Sequence, residues 1–181
     1  MPKRNDLRSI LILGEGDGRC LERLVRIAPH ARIHCLDASA AMLAKARARI
    51  ARLGAEARIT FQQADARTAA LPELTYDAVV TLFFLDCFTP EELGPLVDRI
   101  ARSLQPGAAW LFADFAIPLR GWTRWRARLW LTLLYGFFRW RTNLGARQLP
   151  PSEPRIAAVG FVESAATVRQ AGLLRTALFK R

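Results

Sequence analysis

The sequence predicts an α/β domain built on a mostly parallel sheet, and three observations carry that expectation. The first is the apolar run Ile10-Leu11-Ile12-Leu13, which breaks into glycine at every second position, Gly14, Gly16 and Gly18. A short apolar run flanked by turn formers reads as a strand buried on both faces. The second is alternation: strand-like stretches near 9–13, 32–37, 58–63, 76–82 and 108–114 are interleaved with helical patterns near 18–28, 39–53 and 90–103. That is the signature of parallel strands joined by crossover helices. The third is length, since 181 residues suffice for one substantial core and are too few for two ordinary domains.

After the glycine turn, Cys20-Leu21, Leu24-Val25 and Ile27-Ala28 recur at helical spacing before Pro29. Strand, turn and helix together make the first unit of a nucleotide-binding α/β fold. The second run, Arg32 to Leu36, ends at Asp37, and Ala38-Ser39 leads into an alanine-rich helix from Ala40 to Leu53. His34 and Cys35 fall inside this strand, where burial explains them. The third strand alternates through Ile59 and Phe61 toward Asp65. Asp77 opens the fourth and reads as a turn or strand-start residue, not a ligand. Thr89-Pro90-Glu91-Glu92 is a helix start: a capping hydroxyl, a first-turn proline and acids facing the helix dipole. At the C-terminal end, Gly160-Phe161-Val162 opens a run through Thr167-Val168, Ala171-Gly172 punctuates it, and Leu173 to Phe179 follows, predicting an antiparallel hairpin.

Glycine-rich turns also occur where a strand merely needs a tight exit, so the ligand must be argued from the acids around this one. A carboxylate at the tip of the second strand lies beside the first turn, where Asp37 can accept from both hydroxyls of a ribose. Helix capping is its alternative role, which Ser39 could fill instead. A dinucleotide fingerprint needs Gly-x-Gly-x-x-Gly, whereas this spacing is Gly-x-Gly-x-Gly, and Glu15 and Asp17 set two negative charges where a pyrophosphate would sit. An amino-acid-bearing nucleoside with ammonium and sulfonium groups, S-adenosylmethionine, suits those acids. Asp65 can accept from an exocyclic amine while Ala66 leaves room for a flat ring, with turn capping as the alternative.

With these motifs the chain resembles the class I S-adenosylmethionine-dependent methyltransferases over nearly its whole length. Leu11 to Gly18 resembles the family's first motif, and Leu36-Asp37-Ala38-Ser39 the second-strand acid that holds the ribose. Ile59 to Ala66 resembles the third strand with its adenine-contacting acid, Tyr76 to Thr81 the fourth strand, and Leu104 to Phe112 the turn and fifth strand. The resemblance implies a Rossmann-like doubly wound seven-stranded sheet of order 3-2-1-4-5-7-6 with strand 7 antiparallel. It implies S-adenosylmethionine as cofactor, held by Gly14, Glu15, Gly16, Gly18, Asp37, Ala38, Asp65 and Ala66. Phe83-Phe84-Leu85-Asp86-Cys87-Phe88 falls at the sheet's carboxyl edge, where open α/β folds bind ligands. Asp86 is the first candidate for acceptor contact or catalytic base and Asp114 the second, with a structural turn role as the alternative for each. Nothing in the sequence signals an activated thiol at Cys87.

The formal net charge is +11. Between Pro118 and Pro150 lie seven arginines and no acid, together with Trp122, Trp125, Trp130 and Trp140, four of the five tryptophans. Residues 118–149 read as a basic aromatic helical insertion after the fifth strand of a single domain, 1–181. On a helical wheel Trp122, Trp125, Leu129, Leu133, Phe137 and Trp140 share one face, while Arg124, Arg128, Tyr135 and Arg139 share another. The apolar stretch 129–138 is too short to cross a bilayer. Four uses fit the pattern: a lid over an apolar acceptor, peripheral membrane contact through 120–141, nucleic-acid contact, or packing on its own domain behind a solvated basic face. The insertion's position after the fifth strand, which in the family borders the acceptor site, favours the lid. The first strand lies within about ten residues of Met1, whereas the resemblance implies helices before it that cover the cofactor; that cover is expected from residues 118–149, from a partner or membrane, or from an earlier natural start.

Three widely spaced cysteines and two histidines support neither a disulfide framework nor a metal site. The expected protein is a cytoplasmic, membrane-peripheral methyltransferase acting on a small lipophilic or quinone-like acceptor. The alternatives are a non-catalytic cofactor-binding protein working through its basic helix, and a nucleic-acid methyltransferase.

Overall fold

The structure, a computed structural model, describes residues 7–116 and 150–181. Seven strands form one sheet: β1 (Ser9–Leu13), β2 (Arg32–Asp37), β3 (Ile59–Gln63), β4 (Tyr76–Leu82), β5 (Leu104–Phe115), β6 (Val162–Arg169) and β7 (Leu174–Lys180). Four helices accompany them: α1 (Arg19–Ile27), α2 (Ala40–Ala51), α3 (Pro90–Ser103) and α4 (Ser152–Ala158). The order is β3-β2-β1-β4-β5-β7-β6, and only β7 runs antiparallel to its neighbours. This is the doubly wound arrangement that the sequence implies.

Two apolar layers fix the sheet. On one face Leu21, Leu24 and Val25 of α1 and Leu43, Ala46 and Ile50 of α2 bury Ile10, Ile12 and Ile33. On the other, Leu93, Leu96, Val97 and Ile100 of α3 and Ile156 of α4 cover Leu11, Leu13, Val79 and Trp110. Because neighbouring residues of β1 point to opposite layers, the strand has no polar position to offer, which is why it reads as a continuous apolar run.

The local signals take the expected shapes. Thr89 Oγ1 accepts from the Glu92 amide at 3.4 Å while Glu92 Oε2 accepts from the Thr89 amide at 3.0 Å, a reciprocal capping box that starts α3. Asp77 Oδ2 accepts from the amides of Arg8 (2.6 Å) and Ser9 (3.1 Å), tying the start of β4 to that of β1. His34 is satisfied on both ring nitrogens, by Tyr76 Oη at 2.5 Å and Gln62 Oε1 at 2.8 Å, and burial lowers its pKa.

Two features depart from the expectation. Strand β5 begins at Leu104 rather than near 108, because Leu104 pairs with Tyr76 before a register shift and a left-handed Gly107 (φ 79°). Helix α4 carries no sequence signal, since its first turn holds Pro154; proline is tolerated there because the first amides of a helix have no intrahelical partner. The lid residues Trp122, Trp125, Leu129, Leu133 and Phe137, with the rest of 118–149, lie outside the described residues.

Candidate cofactor and acceptor site

The glycine turn leaves β1 at the carboxyl edge of the sheet with Gly14, Gly16 and Gly18 all in the left-handed region, at φ 67°, 67° and 88°. Each glycine answers a different demand. A Cβ on Gly14 would collide with the Phe84 ring, one on Gly18 would stand 2.8 Å from Ala46 Cα, and one on Gly16 would meet nothing within 4 Å. Gly18 therefore serves the approach of α1 to α2, and Gly16 presents bare backbone to open space. The sequence groups all three as cofactor contacts; Gly14 and Gly16 line a cavity of about 410 Å³, and Gly18 is not among its lining residues.

Asp37 sits at the tip of β2 beside this turn. Its Oδ2 accepts from the Gly16 amide at 3.3 Å and its Oδ1 from the Ser39 amide at 2.8 Å, so the carboxylate is aimed by two backbone donors while it faces the cavity. Ser39 Oγ accepts from the Met42 amide at 3.4 Å and caps α2, which leaves Asp37 free of that duty. Ala38, Asp65 and Ala66 complete the same wall.

Glu15 takes a different place from the one expected. Its Oε1 accepts from the Leu21 amide at 2.8 Å, so the carboxyl caps the start of α1, where Gly18 has no side chain to do so. It is not among the residues lining the cavity. Burial, with the charges of Asp17 and Asp37 nearby, pushes its pKa up to about 7 against the lowering effect of the amides. Asp65 also has company that sequence reasoning missed. Arg67 Nε reaches its Oδ1 at 3.1 Å and Oδ2 at 2.9 Å, Nη2 reaches Oδ2 at 2.6 Å, and Nη1 extends to Glu92 Oε1 at 2.8 Å. The guanidinium holds the Asp65 carboxyl below the usual carboxylate range. An acid two residues before an arginine was the available signal.

Asp86 and Asp114 do come together. The Asp86 amide donates to Asp114 Oδ2 at 3.1 Å and the Phe115 amide to Oδ1 at 3.0 Å, with the two residues 6% and 3% exposed. Burial raises both carboxyls, Asp114 further because Asp86 stands beside it. The nearest cation in register, Arg175 opposite Asp114 on β7, is held by Glu153 and Glu163 instead. Cys87 Sγ lies 3.6 Å from Asp86 Oδ1, and burial followed by the Asp86 charge pushes its thiol up to about 12, far from a thiolate.

A second cavity, of about 790 Å³, adjoins this pair. Phe112, Asp114, Phe115, Pro151, Phe161 and Phe179 are among its walls, as are Ala116 and Pro150. Phe115, which lines it, packs against Phe83, which lines the glycine-turn cavity, with ring centroids 5.1 Å apart. Of the two acids, Asp114 lines the second cavity and Asp86 does not.

A parallel sheet with a glycine turn at its carboxyl edge, an aimed acid on the second strand and small residues on the third defines a nucleoside-binding α/β domain. The family described as a methyltransferase domain matches residues 10–107. No curated protein matches the chain significantly. Among solved structures, the apo S-adenosylmethionine-dependent methyltransferase SibL superposes with a TM-score of 0.71 at 22% identity, covering 100% of this chain and 52% of its own. An S-adenosylmethionine dependent methyltransferase from Mesorhizobium loti gives 0.74 at 19%, covering 100% and 94%. N-methyltransferase NodS from Bradyrhizobium japonicum WM9, in complex with S-adenosyl-l-homocysteine, gives 0.68 at 17%, covering 97% and 78%. The chain thus spans about half the length of SibL and nearly all of the Mesorhizobium protein. It belongs to the class I S-adenosylmethionine-dependent methyltransferase family.

The residues present fit that cofactor. Asp37 offers an oriented carboxylate for ribose hydroxyls, Gly16 offers backbone no Cβ obstructs, and Ala38 and Ala66 leave a slot for a flat base. Replacing Asp37 by Ala removes the acceptor for both the ligand and the Gly16 amide. Cofactor affinity should fall by about 1.5–3 kcal/mol, the scale for hydrogen bonds to a charged group. Calorimetry with S-adenosylhomocysteine reads this directly, and unchanged affinity in a folded variant would place the ribose elsewhere.

Proposed function

We propose that this protein transfers a methyl group from S-adenosylmethionine to the hydroxyl of a small lipophilic, quinol-like acceptor. The observation that carries the proposal is the buried Asp86–Asp114 pair: Asp114 lines the larger cavity, and Cys87, next to Asp86 in the chain, lines the glycine-turn cavity. When bound, S-adenosylmethionine supplies an electrophilic methyl group. The chain's own residues supply alignment, water exclusion and a destination for the acceptor's proton.

Asp114 is the base in this proposal. It lines the acceptor cavity; burial and then the Asp86 charge push its carboxyl up to about 9 against two backbone amides that favour the charged form, so its base form gains population as pH rises toward that value. Asp86 is a positioning residue: sharing one proton with its neighbour, it lets the pair keep a single negative charge in a place where two could not both ionise. In the transfer, the acceptor O–H proton passes to Asp114, the new C–O bond forms and the C–S bond breaks, leaving a methyl ether and S-adenosylhomocysteine. The phenylalanines and prolines that make up half of the acceptor cavity's lining suit a lipophilic acceptor, while Asp114, Ser152, Glu153 and Glu163 supply its polar positions and disfavour an anionic one. Ala116 and Pro150, the described residues nearest the basic aromatic segment on either side, both line that cavity, which supports the lid among the segment's uses. A cytoplasmic protein touching membrane through 120–141 would meet such an acceptor where it dissolves. Among the described residues no helix is long and apolar enough to cross a membrane.

Labelled S-adenosylmethionine tests the proposal. Label should appear in lipophilic phenols and quinols. Label in RNA alone would favour a nucleic-acid methyltransferase, and cofactor binding with no transfer to either would favour a non-catalytic protein.

A further inference from the structure

The Asp65 carboxylate at the end of the glycine-turn cavity is already engaged. Three N–H groups of one residue make four contacts with it: the Arg67 amide at 2.8 Å and Nε at 3.1 Å on Oδ1, with Nε at 2.9 Å and Nη2 at 2.6 Å on Oδ2. An ionised carboxylate has about four lone-pair directions, so an incoming exocyclic amine must compete with the guanidinium for most of them. Yet the guanidinium has a second place to rest. Its Nη1 donates to Glu92 Oε1 at 2.8 Å, and Glu92 is itself fixed by the capping box at the start of α3. Asp65, Arg67 and Glu92 all line the cavity.

We infer that Arg67 is a cofactor-displaced latch, closed on Asp65 in the free protein and handed to Glu92 when the adenine amine takes its place. The inference rests on the cofactor reading above and adds a competitor inside the binding site. The backbone beneath the latch stays fixed, because Arg99 donates to the carbonyls of Ala66 (3.1 Å), Ala69 (3.3 Å) and Arg67. Only side-chain torsions of Arg67 need change. The exchange is cheap, since Arg67 and Asp65 are 52% and 39% exposed and ion pairs in such settings are weak. The free site is also kept from presenting three bare carboxylates, Asp37, Asp65 and Glu92, along one wall. With Arg67 on Asp65 that wall is quiet toward stray cations, and it recovers its adenine acceptor only for a ligand that can displace the latch.

Calorimetry with S-adenosylhomocysteine and with S-inosylhomocysteine, which carries a carbonyl in place of the exocyclic amine, separates a latch from a mere support. In Arg67→Met, which keeps the stem and loses the donors, affinity for S-adenosylhomocysteine should rise about two- to fivefold, the range a weak competing ion pair can supply. The preference over the inosine analogue should widen by a similar factor. Glu92→Gln, which preserves the capping box, should weaken S-adenosylhomocysteine binding by leaving Arg67 on Asp65 alone. Adding it to Arg67→Met should then change nothing further. Equal or weaker binding in Arg67→Met, or an unchanged preference between the two ligands, would overturn the latch. Failure of the wild-type protein to bind S-adenosylhomocysteine at all would overturn the cofactor reading and the latch with it.

Discussion

Replacing Asp114 by Asn should slow methyl transfer to a phenolic acceptor by about 100- to 10,000-fold, the usual contribution of a positioned base, while leaving S-adenosylhomocysteine affinity intact. The two readouts separate because Asp114 lines the acceptor cavity and takes no part in the glycine-turn cavity. Phenols acidic enough to be ionised already should be methylated nearly as fast by the variant as by the wild type. A uniform loss across phenols of all acidities would mean that Asp114 supports structure and accepts no proton. The same substitution should change how stability depends on pH. Both carboxyls are raised by burial, so above the ordinary carboxylate pKa of about 4 the folded chain binds more protons than the unfolded one. Their contribution is fully present below that value and is lost as pH rises. The wild-type melting temperature should therefore fall from pH 6 toward pH 9, and the fall should be smaller in Asp114→Asn, which cannot ionise there.

The second large effect concerns folding. Trp110 is fully buried in β5, its ring edge-on to Phe161 at 5.6 Å and 86°, with Nε1 donating to Thr81 Oγ1 at 2.8 Å. Trp110→Ala would open a void at the heart of the α3 layer and strand a buried hydroxyl. It should cost about 3–5 kcal/mol of stability, measured by denaturant unfolding. A loss below about 1 kcal/mol would mean that the surrounding layer collapses to fill the space. Trp110 lines neither cavity, so this variant should lose activity only in proportion to the fraction unfolded.

The parts of this protein legible in the sequence are those where one local force decides. β1 and β2 announce themselves because both faces are buried, and α3 because Thr89 and Glu92 satisfy each other's amides. The tip acid Asp37 is legible because the strand ends where polarity begins. What escaped depends on distance in the chain or on competition. Gly18 and Gly16 look alike in sequence, yet only the approach of Ala46, on another helix, gives Gly18 a packing role. Glu15 reads as a ligand-facing acid until the uncapped start of α1 claims it. Asp114 overtakes Asp86 because a cavity wall is built from four separate elements, which no spacing reveals. Arg67 escapes because its more distant partner, Glu92, lies 25 residues away and reads as an acid facing the helix dipole.

The contact between Gly18 and Ala46 has a thermodynamic consequence of its own. The glycine turn cannot loosen unless α1 parts from α2, and that separation would expose Leu21, Leu24, Leu43 and Ile50 to water. Opening the turn is therefore a sub-global event with a free energy near that of the whole layer, not a loop fluctuation. A ligand entering there meets a surface whose ordering cost was met when the protein folded, so the entropy of binding falls on the ligand and on the few exposed side chains at its edge.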